Sequence, residues 1–362
     1  RVKGTLYMAL VTINPMKSTT IGGVETLIRE IQTSFDGQTI IELFQHTPSL
    51  ENFSENPKVK YVSYGSNGSP AIVHKIFTKF KQRNMIGEVV TNQKANTVVI
   101  FHPNDLLYMP HHVRSASKIV LVQTNRLDVY FSGLETFVMR MLAKYVDVFT
   151  VYTEIDKQVV NECYGGWFKE VVVIPRGCKL PTAECVATPG KALITIARIH
   201  EHQKNFTGLI EIMRNLPADY TLSIFGDGPK DEIAQLEQLI EGFSNVTFYG
   251  PTSDVQSVLR KHNIFVMTSH YEGFGQTLIE ARSQGLPTIA YDTFDALQWV
   301  IKKDENGYIV PPYNVDLFVN AIRTIAESKE TYLSLSENAI KFARETEKEN
   351  INKLWSSTLS YE

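Results

Sequence analysis

Short runs of β-branched and aliphatic residues alternate with amphipathic stretches along most of the chain. Residues 6–13, 39–44, 59–64, 97–102, 119–123, 148–153 and 171–174 are almost wholly apolar, as strands buried on both faces of a parallel sheet must be. A second series follows at 192–197, 221–225, 246–249, 264–268, 288–291 and 308–310. Between the runs, apolar residues recur at helical spacing. In residues 24–35, Val24, Leu27, Ile28, Ile31 and Phe35 share one face; in residues 341–359, Ile351, Leu354, Trp355 and Leu359 form a stripe. The rhythm predicts repeated strand, crossover helix and parallel strand.

It breaks once. Pro175-Arg176-Gly177 and residues 181–190, with two prolines and few large apolar side chains, predict a linker. Two doubly wound α/β domains are therefore expected, over residues 1–178 and 179–344, with a helix at 345–362 returning to the first. A chain of 362 residues exceeds what one core usually organises. With 43% hydrophobic and 21% charged residues, disorder is excluded. Against 39 Asp and Glu stand 36 Lys and Arg, a net charge of −3 that gives nucleic acid no basic footprint. Cys163, Cys178 and Cys185 are odd in number and lack metal-ligand spacing, the usage of reduced thiols in the cytosol. No apolar run of about 18 residues is present to span a bilayer, so a soluble or surface-bound protein is expected.

The chemistry concentrates in the second half. After the run 264–268 comes Ser269-His270-Tyr271-Glu272-Gly273-Phe274-Gly275-Gln276, then an apolar stretch containing Glu280. A glycine-bearing turn between a strand's carboxyl end and a helix's amino end offers backbone N–H groups and a positive dipole to an anion such as phosphate. Glu272 and Glu280 flank it, and carboxylates accept paired hydrogen bonds from vicinal hydroxyls. The run 192–197 is followed by Arg198 and then Lys204-Asn205, cations that can meet a diphosphate as fork and point charge. Gly226-Asp227-Gly228-Pro229 follows the next run and lets backbone approach a ligand.

These motifs, with Gly22-Gly23-Val24-Glu25 after the first run and Ile174-Pro175-Arg176-Gly177 before the linker, resemble the retaining GT-B enzymes of glycosyltransferase family 4 in order and spacing. The resemblance implies two Rossmann-like domains facing a cleft and the transfer of a sugar from a nucleotide diphosphate sugar, here a UDP-sugar, to a glycan or lipid-linked acceptor of the bacterial surface. It implies that Arg198 and Lys204 neutralise the diphosphate, Glu280 holds the ribose, and Glu272 contacts the donor sugar. The backbone of Phe274, Gly275 and Gln276 would bind phosphate or sugar oxygens, Gly22 and Gly23 would approach the diphosphate, and Asn205 and Gly226 belong to the same donor set. Arg198, Lys204 and Glu272 are the residues assigned to catalysis. No cofactor and no metal are expected, and no Asp-x-Asp triplet occurs.

One departure is visible. Where the family often has a histidine, this chain has Val122-Gln123-Thr124-Asn125-Arg126, leaving Gln123, Asn125 and the nearby His102 as candidate sugar or acceptor contacts. Residues 75–83 combine Lys75, Lys79, Lys81 and Arg83 with Phe77 and Phe80, an arrangement suited to an anionic membrane surface. The expected location is the cytoplasm, at the inner face of the plasma membrane. Two alternatives stay open: a non-catalytic partner or glycan-binding subunit, and a nucleotide-sugar epimerase on the same fold.

Overall fold

The computed structural model describes residues 8–20, 22–46, 51–65 and 72–360. The chain divides into two compact units, Arg1–Pro175 with Ile351–Glu362, and Arg176–Asn350. The first contains β1 (Ala9–Met16), β2 (Thr39–His46), β3 (Val59–Ser63), β4 (Thr97–Ile100), β5 (Lys118–Val122), β6 (Val148–Val151) and β7 (Glu170–Val173). They form one parallel sheet in the order β3-β2-β1-β4-β5-β6-β7. The second contains β8 (Ala192–Ile196), β9 (Thr221–Phe225), β10 (Val246–Gly250), β11 (Ile264–Met267), β12 (Thr288–Tyr291) and β13 (Gly307–Val310). These too are all parallel, in the order β10-β9-β8-β11-β12-β13.

The apolar runs become these strands because helices cover both sheet faces. Every residue of β4, β6, β11 and β12 is buried, a pattern only a doubly covered sheet permits. Several strands end before their apolar runs do. The run 148–153 stops at Val151 because Thr153 becomes a helix cap, its hydroxyl accepting from Asp156 N at 3.0 Å. The run 264–268 stops at Met267 because the Thr268 hydroxyl turns to the carbonyls of Lys204 and Asn205. In the first run, residues 6 and 7 lie outside the described residues.

The stretch 341–359 is not one helix. Helix Lys329–Ala343 ends, a single 3₁₀ turn occupies Arg344–Thr346, and helix Lys348–Leu359 begins anew. Thr346 fixes the break: its carbonyl accepts from Cys178 N at 2.7 Å, and its hydroxyl takes a bond from the buried guanidinium of Arg282. Those bonds also explain why Arg176–Cys178 belong to the second unit rather than to the first. Within the last helix Ile351, Trp355 and Leu359, at i, i+4 and i+8, are buried; Leu354 lies off that line and is exposed.

Ile351, Trp355 and Leu359 join the core formed by Leu27, Ile28, Ile31 and one face of β1, β4, β5 and β6. The Trp355 indole donates to Glu30 at 3.2 Å, and the Lys118 ammonium and Thr97 hydroxyl bond the helix's last carbonyls. No helix among the described residues is long and apolar enough to cross a membrane. Trp355→Ala is expected to cost about 3–5 kcal/mol through the cavity it leaves. Urea unfolding monitored by circular dichroism measures this, and a loss near zero would mean the helix does not stabilise the first unit.

Candidate active site

In an open parallel sheet, ligands bind beyond the carboxyl ends of the strands, where strand order reverses. In the second unit that point lies between β8 and β11. The segments leaving those two strands are residues 197–205 and 268–276, which hold the basic and acidic residues singled out above. Topology thus brings Arg198, Lys204 and Glu272 to one edge.

Arg198 is displayed by its neighbours. Ala197 N donates to Phe225 O at 3.0 Å and Ile199 N to Asp227 O at 2.8 Å, so the backbone on both sides of Arg198 is tied to the 225–228 turn. That tie requires glycine: a Cβ on Gly226 would lie 1.8 Å from the Ala197 carbonyl oxygen, and one on Gly228 2.3 Å from that of Ile199. Gly226 therefore serves close packing of protein on protein, a purpose the donor-contact reading did not include. The Arg198 side chain is exposed and has no hydrogen bond or ion pair among the described residues. Its guanidinium is free to meet an anion.

Lys204 and Asn205 behave differently. The Lys204 ammonium pairs with the Glu272 carboxylate, both side chains being nearly buried, and Ser269 Oγ donates to the same carboxylate oxygen at 2.8 Å. A desolvated pair of this kind is held in one geometry, and removal of either member strands the other charge. Asn205 is a structural joint. It adopts left-handed backbone at φ 56°, its Oδ1 caps helix Phe206–Arg214 by accepting from Gly208 N, and its Nδ2 donates to Thr268 O. Both ends of the amide are occupied. With His270 N donating to Gln203 O at 2.8 Å, these bonds fasten the β8 segment to the β11 segment.

Helix Gln276–Ser283 begins at Gly275, whose φ of 84° favours glycine and whose end no side chain caps. Its first N–H groups face the carboxyl edge of the sheet, an arrangement that attracts anions. Phe274 is buried and packs near Trp299, so it anchors the turn with its ring while its backbone stays in the loop. The Gln276 side chain donates to Gly177 O at 3.0 Å. Glu280, one turn further on, is 8% exposed. Burial raises its pKa, and Lys179 and Gln276 pull it back. Burial outweighs these two partners, so the carboxylate carries a net desolvation cost in the fold, as groups at binding sites often do.

In the first unit the reversal lies between β1 and β4, and each strand is followed by predicted residues. After β1 come Gly22 and Gly23. Neither has left-handed backbone; a Cβ on Gly23 would meet nothing within 4 Å, whereas one on Gly22 would run into the Glu25 carboxylate, so packing leaves Gly23 unconstrained and Gly22 dependent on the Glu25 side chain. After β4 comes His102, exposed, with Nε2 3.7 Å from Glu135 and Nδ1 accepting from Asn104 N. Partial burial lowers its pKa, against the pull of Glu135. Gln123, after β5, is engaged by the fold. It is buried, accepts from Tyr152 N and donates to Asn125 O and Asp156, which occupies both hydrogens of its amide nitrogen. Asn125 is exposed, its side-chain oxygen accepting from Arg126 N at 2.9 Å.

Sequence reasoning missed two carboxylates beside these positions. Glu42, fully buried on β2, accepts from Ser18 N and Oγ, Asn14 and Gln32, and so fixes the loop that precedes Gly22. A lone acid inside an apolar run was the available signal. Asp105, after His102, has its pKa pushed up to about 7 by burial, against Lys79 and the His102 backbone. Nothing in the sequence marks it, because its burial comes from residues distant along the chain.

Residues 186–342, within the second unit, match the family model described as glycosyl transferases group 1. The chain is 29% identical over 152 residues, 41% of its length, to the poly(glycerol-phosphate) alpha-glucosyltransferase of Bacillus subtilis, and spans 22% of that protein. Over 311 residues it is 22% identical to an uncharacterized glycosyltransferase of Haemophilus influenzae, covering 82% of this chain and 84% of the relative. The structure of Anabaena Alr3699/HepE in complex with UDP superposes with a TM-score of 0.77 at 16% identity, over 97% of this chain and 99% of that one. The fold is GT-B.

Two outcomes follow from the geometry. In a double-mutant cycle, Lys204→Met and Glu272→Gln should couple by about 1–3 kcal/mol, each single change costing more than its increment in the double variant; additive losses would show that the pair is not held. Glu280, with its folded pKa above the unfolded value near 4.5, removes stability as pH rises through that window. Glu280→Gln should therefore melt above the parent at about pH 7, the gap closing toward about pH 4, and a gap independent of pH would contradict this.

Proposed function

We propose that the chain is a retaining, metal-independent glycosyltransferase of family 4 that uses a UDP-sugar and adds the sugar to a bacterial surface glycan acceptor. The observation that carries this reading is the buried Glu280 on a helix whose uncapped start shares one sheet edge with Arg198 and the Lys204–Glu272 pair. A diphosphate supplies the negative charge that Arg198, Lys204 and the helix start accept, and hydroxyl groups supply the donors that Glu272 and Glu280 accept. The glucosyl donor specificity in the name of the Bacillus relative and the UDP held by HepE support the donor class.

In this reading the acceptor hydroxyl attacks the anomeric carbon on the face the diphosphate leaves. The bond from that carbon to the phosphate oxygen breaks, and that oxygen takes the acceptor proton. Arg198, Lys204 and the helix dipole stabilise the charge developing on the leaving group, a task that fixed cations and backbone dipoles perform without a metal. Lys204 approaches the phosphate already oriented by Glu272, so little reorganisation is needed at the moment of reaction. The first unit, with His102 at its own sheet reversal, takes the acceptor. Its action at the inner face of the plasma membrane belongs to the same proposal.

A thermal-shift series with UDP-, GDP-, ADP- and dTDP-sugars identifies the donor, since the bound ligand stabilises the native state by mass action. With that donor, Lys204→Ala and Glu280→Ala should each reduce transfer by about three orders of magnitude, the scale of losing a group that stabilises developing charge. Product NMR should show the donor's anomeric configuration retained. Stoichiometric nucleotide binding without turnover would instead favour a partner subunit, and donor isomerised without acceptor would favour an epimerase.

A further inference from the structure

Helix Leu134–Leu142 in the first unit has two apolar sides. Val138 and Met139 point inward and join the core with Phe131 and Phe149. Leu134, Phe137 and Met141 point outward and are 56%, 60% and 57% exposed. Residues three and four apart on a helix are neighbours, so these three form one continuous stripe and not scattered exposures. Single exposed apolar residues elsewhere in the chain, such as Tyr249 stacked on Phe225, need no such explanation.

The charges beside the stripe are of one sign. Arg140 and, in the turn after the helix, Lys144 are exposed and make no ion pair among the described residues. Lys144 leans over the Tyr145 ring, which Arg114 also approaches at 5.0 Å. The helix's own carboxylate, Glu135, turns away to Asn104 at 2.8 Å and His102. The outward face therefore offers a bulky apolar stripe bordered by cations and without a free acid. An amphipathic helix so patterned suits the plane of an anionic lipid surface, apolar side chains at the acyl boundary and cations at the phosphates. Charge complementarity selects lipid over a second copy of the chain, which would bring the same cations against themselves.

We propose that helix Leu134–Leu142, continued to Lys144, is a docking surface for anionic membrane lipid. This moves the contact away from residues 75–83, where the sequence placed it. The side chains of residues 75–78 lie outside the described residues. Beyond them, Lys79 sits over the Tyr108 ring at 3.9 Å and bonds Gln82, and Arg83 donates to Leu107 O. Both cations are less than fully turned to solvent, and of this run Phe80 and Lys81 alone are exposed among the described side chains.

The whole chain, sedimented with vesicles of phosphatidylcholine alone and of equal parts phosphatidylcholine and phosphatidylglycerol, tests the surface without any sugar substrate. Its outcome is thus separate from that of the transfer reading. The chain should pellet with the anionic vesicles alone, and less so as salt is raised. Phe137→Ser with Met141→Ser, and separately Arg140→Glu with Lys144→Glu, should each lower the partition coefficient by about tenfold while leaving the melting curve unchanged, because all four side chains are exposed. The proposal is overturned if both variants pellet like the parent or if the parent ignores both vesicles. It is equally overturned if the parent forms a concentration-dependent dimer that Phe137→Ser with Met141→Ser abolishes, since a second copy would then be the occupant.

Discussion

The candidate site rests on the fastening of the segment after β8 to the segments after β9 and β11. Three kinds of contact make that fastening. The close approach of Gly226 and Gly228 to residues 197–199 leaves Arg198 in solvent. The Asn205 amide bridges a helix start and Thr268. The Lys204–Glu272 pair links the two loops by charge. Each by itself is an ordinary loop contact. Together they set the spacing of a cation, an ion pair and a helix start along one sheet edge.

That arrangement divides the polar residues by role. Asn205 and Gln123 have both ends of their amides hydrogen-bonded to protein, and they stabilise the loops that carry others. Arg198 stands in solvent without a hydrogen bond or ion pair among the described residues, and Glu280 is buried with its pKa raised despite Lys179 and Gln276. Burial is expensive for a carboxylate whose lost water its neighbours replace only in part. A fold tolerates such a group when a ligand completes it, which is why Glu280 weighs more than the exposed Arg198 in the functional reading.

The first unit shows the same division with fewer commitments. Its loop after β1 is set by Glu42 from beneath, and Gly23 beyond it is not required by backbone conformation or by packing. Its outer surface carries the stripe of Leu134, Phe137 and Met141, which the inner core does not need. A glycine free of folding constraint and apolar residues free of the core are both places where folding has left the sequence room for binding.

The sequence by itself determined the strands, their parallel pairing in two doubly wound domains and the position of the charged motifs on strand ends, and its resemblance to known enzymes supplied the GT-B class. Apolar runs, glycine turns and helical stripes are local patterns, and local patterns survive in one dimension. It did not determine the break at Thr346, the outward turn of Leu354, or the roles of Gln123 and Asn205, because these depend on what lies opposite. Thr346 meets Cys178 and Arg282 from far along the chain, and Gln123 meets Tyr152 and Asp156. Whether a polar side chain serves a ligand or its own fold is decided by which hydrogen-bonding positions the neighbours fill, and neighbours of that kind exist only after the chain has folded.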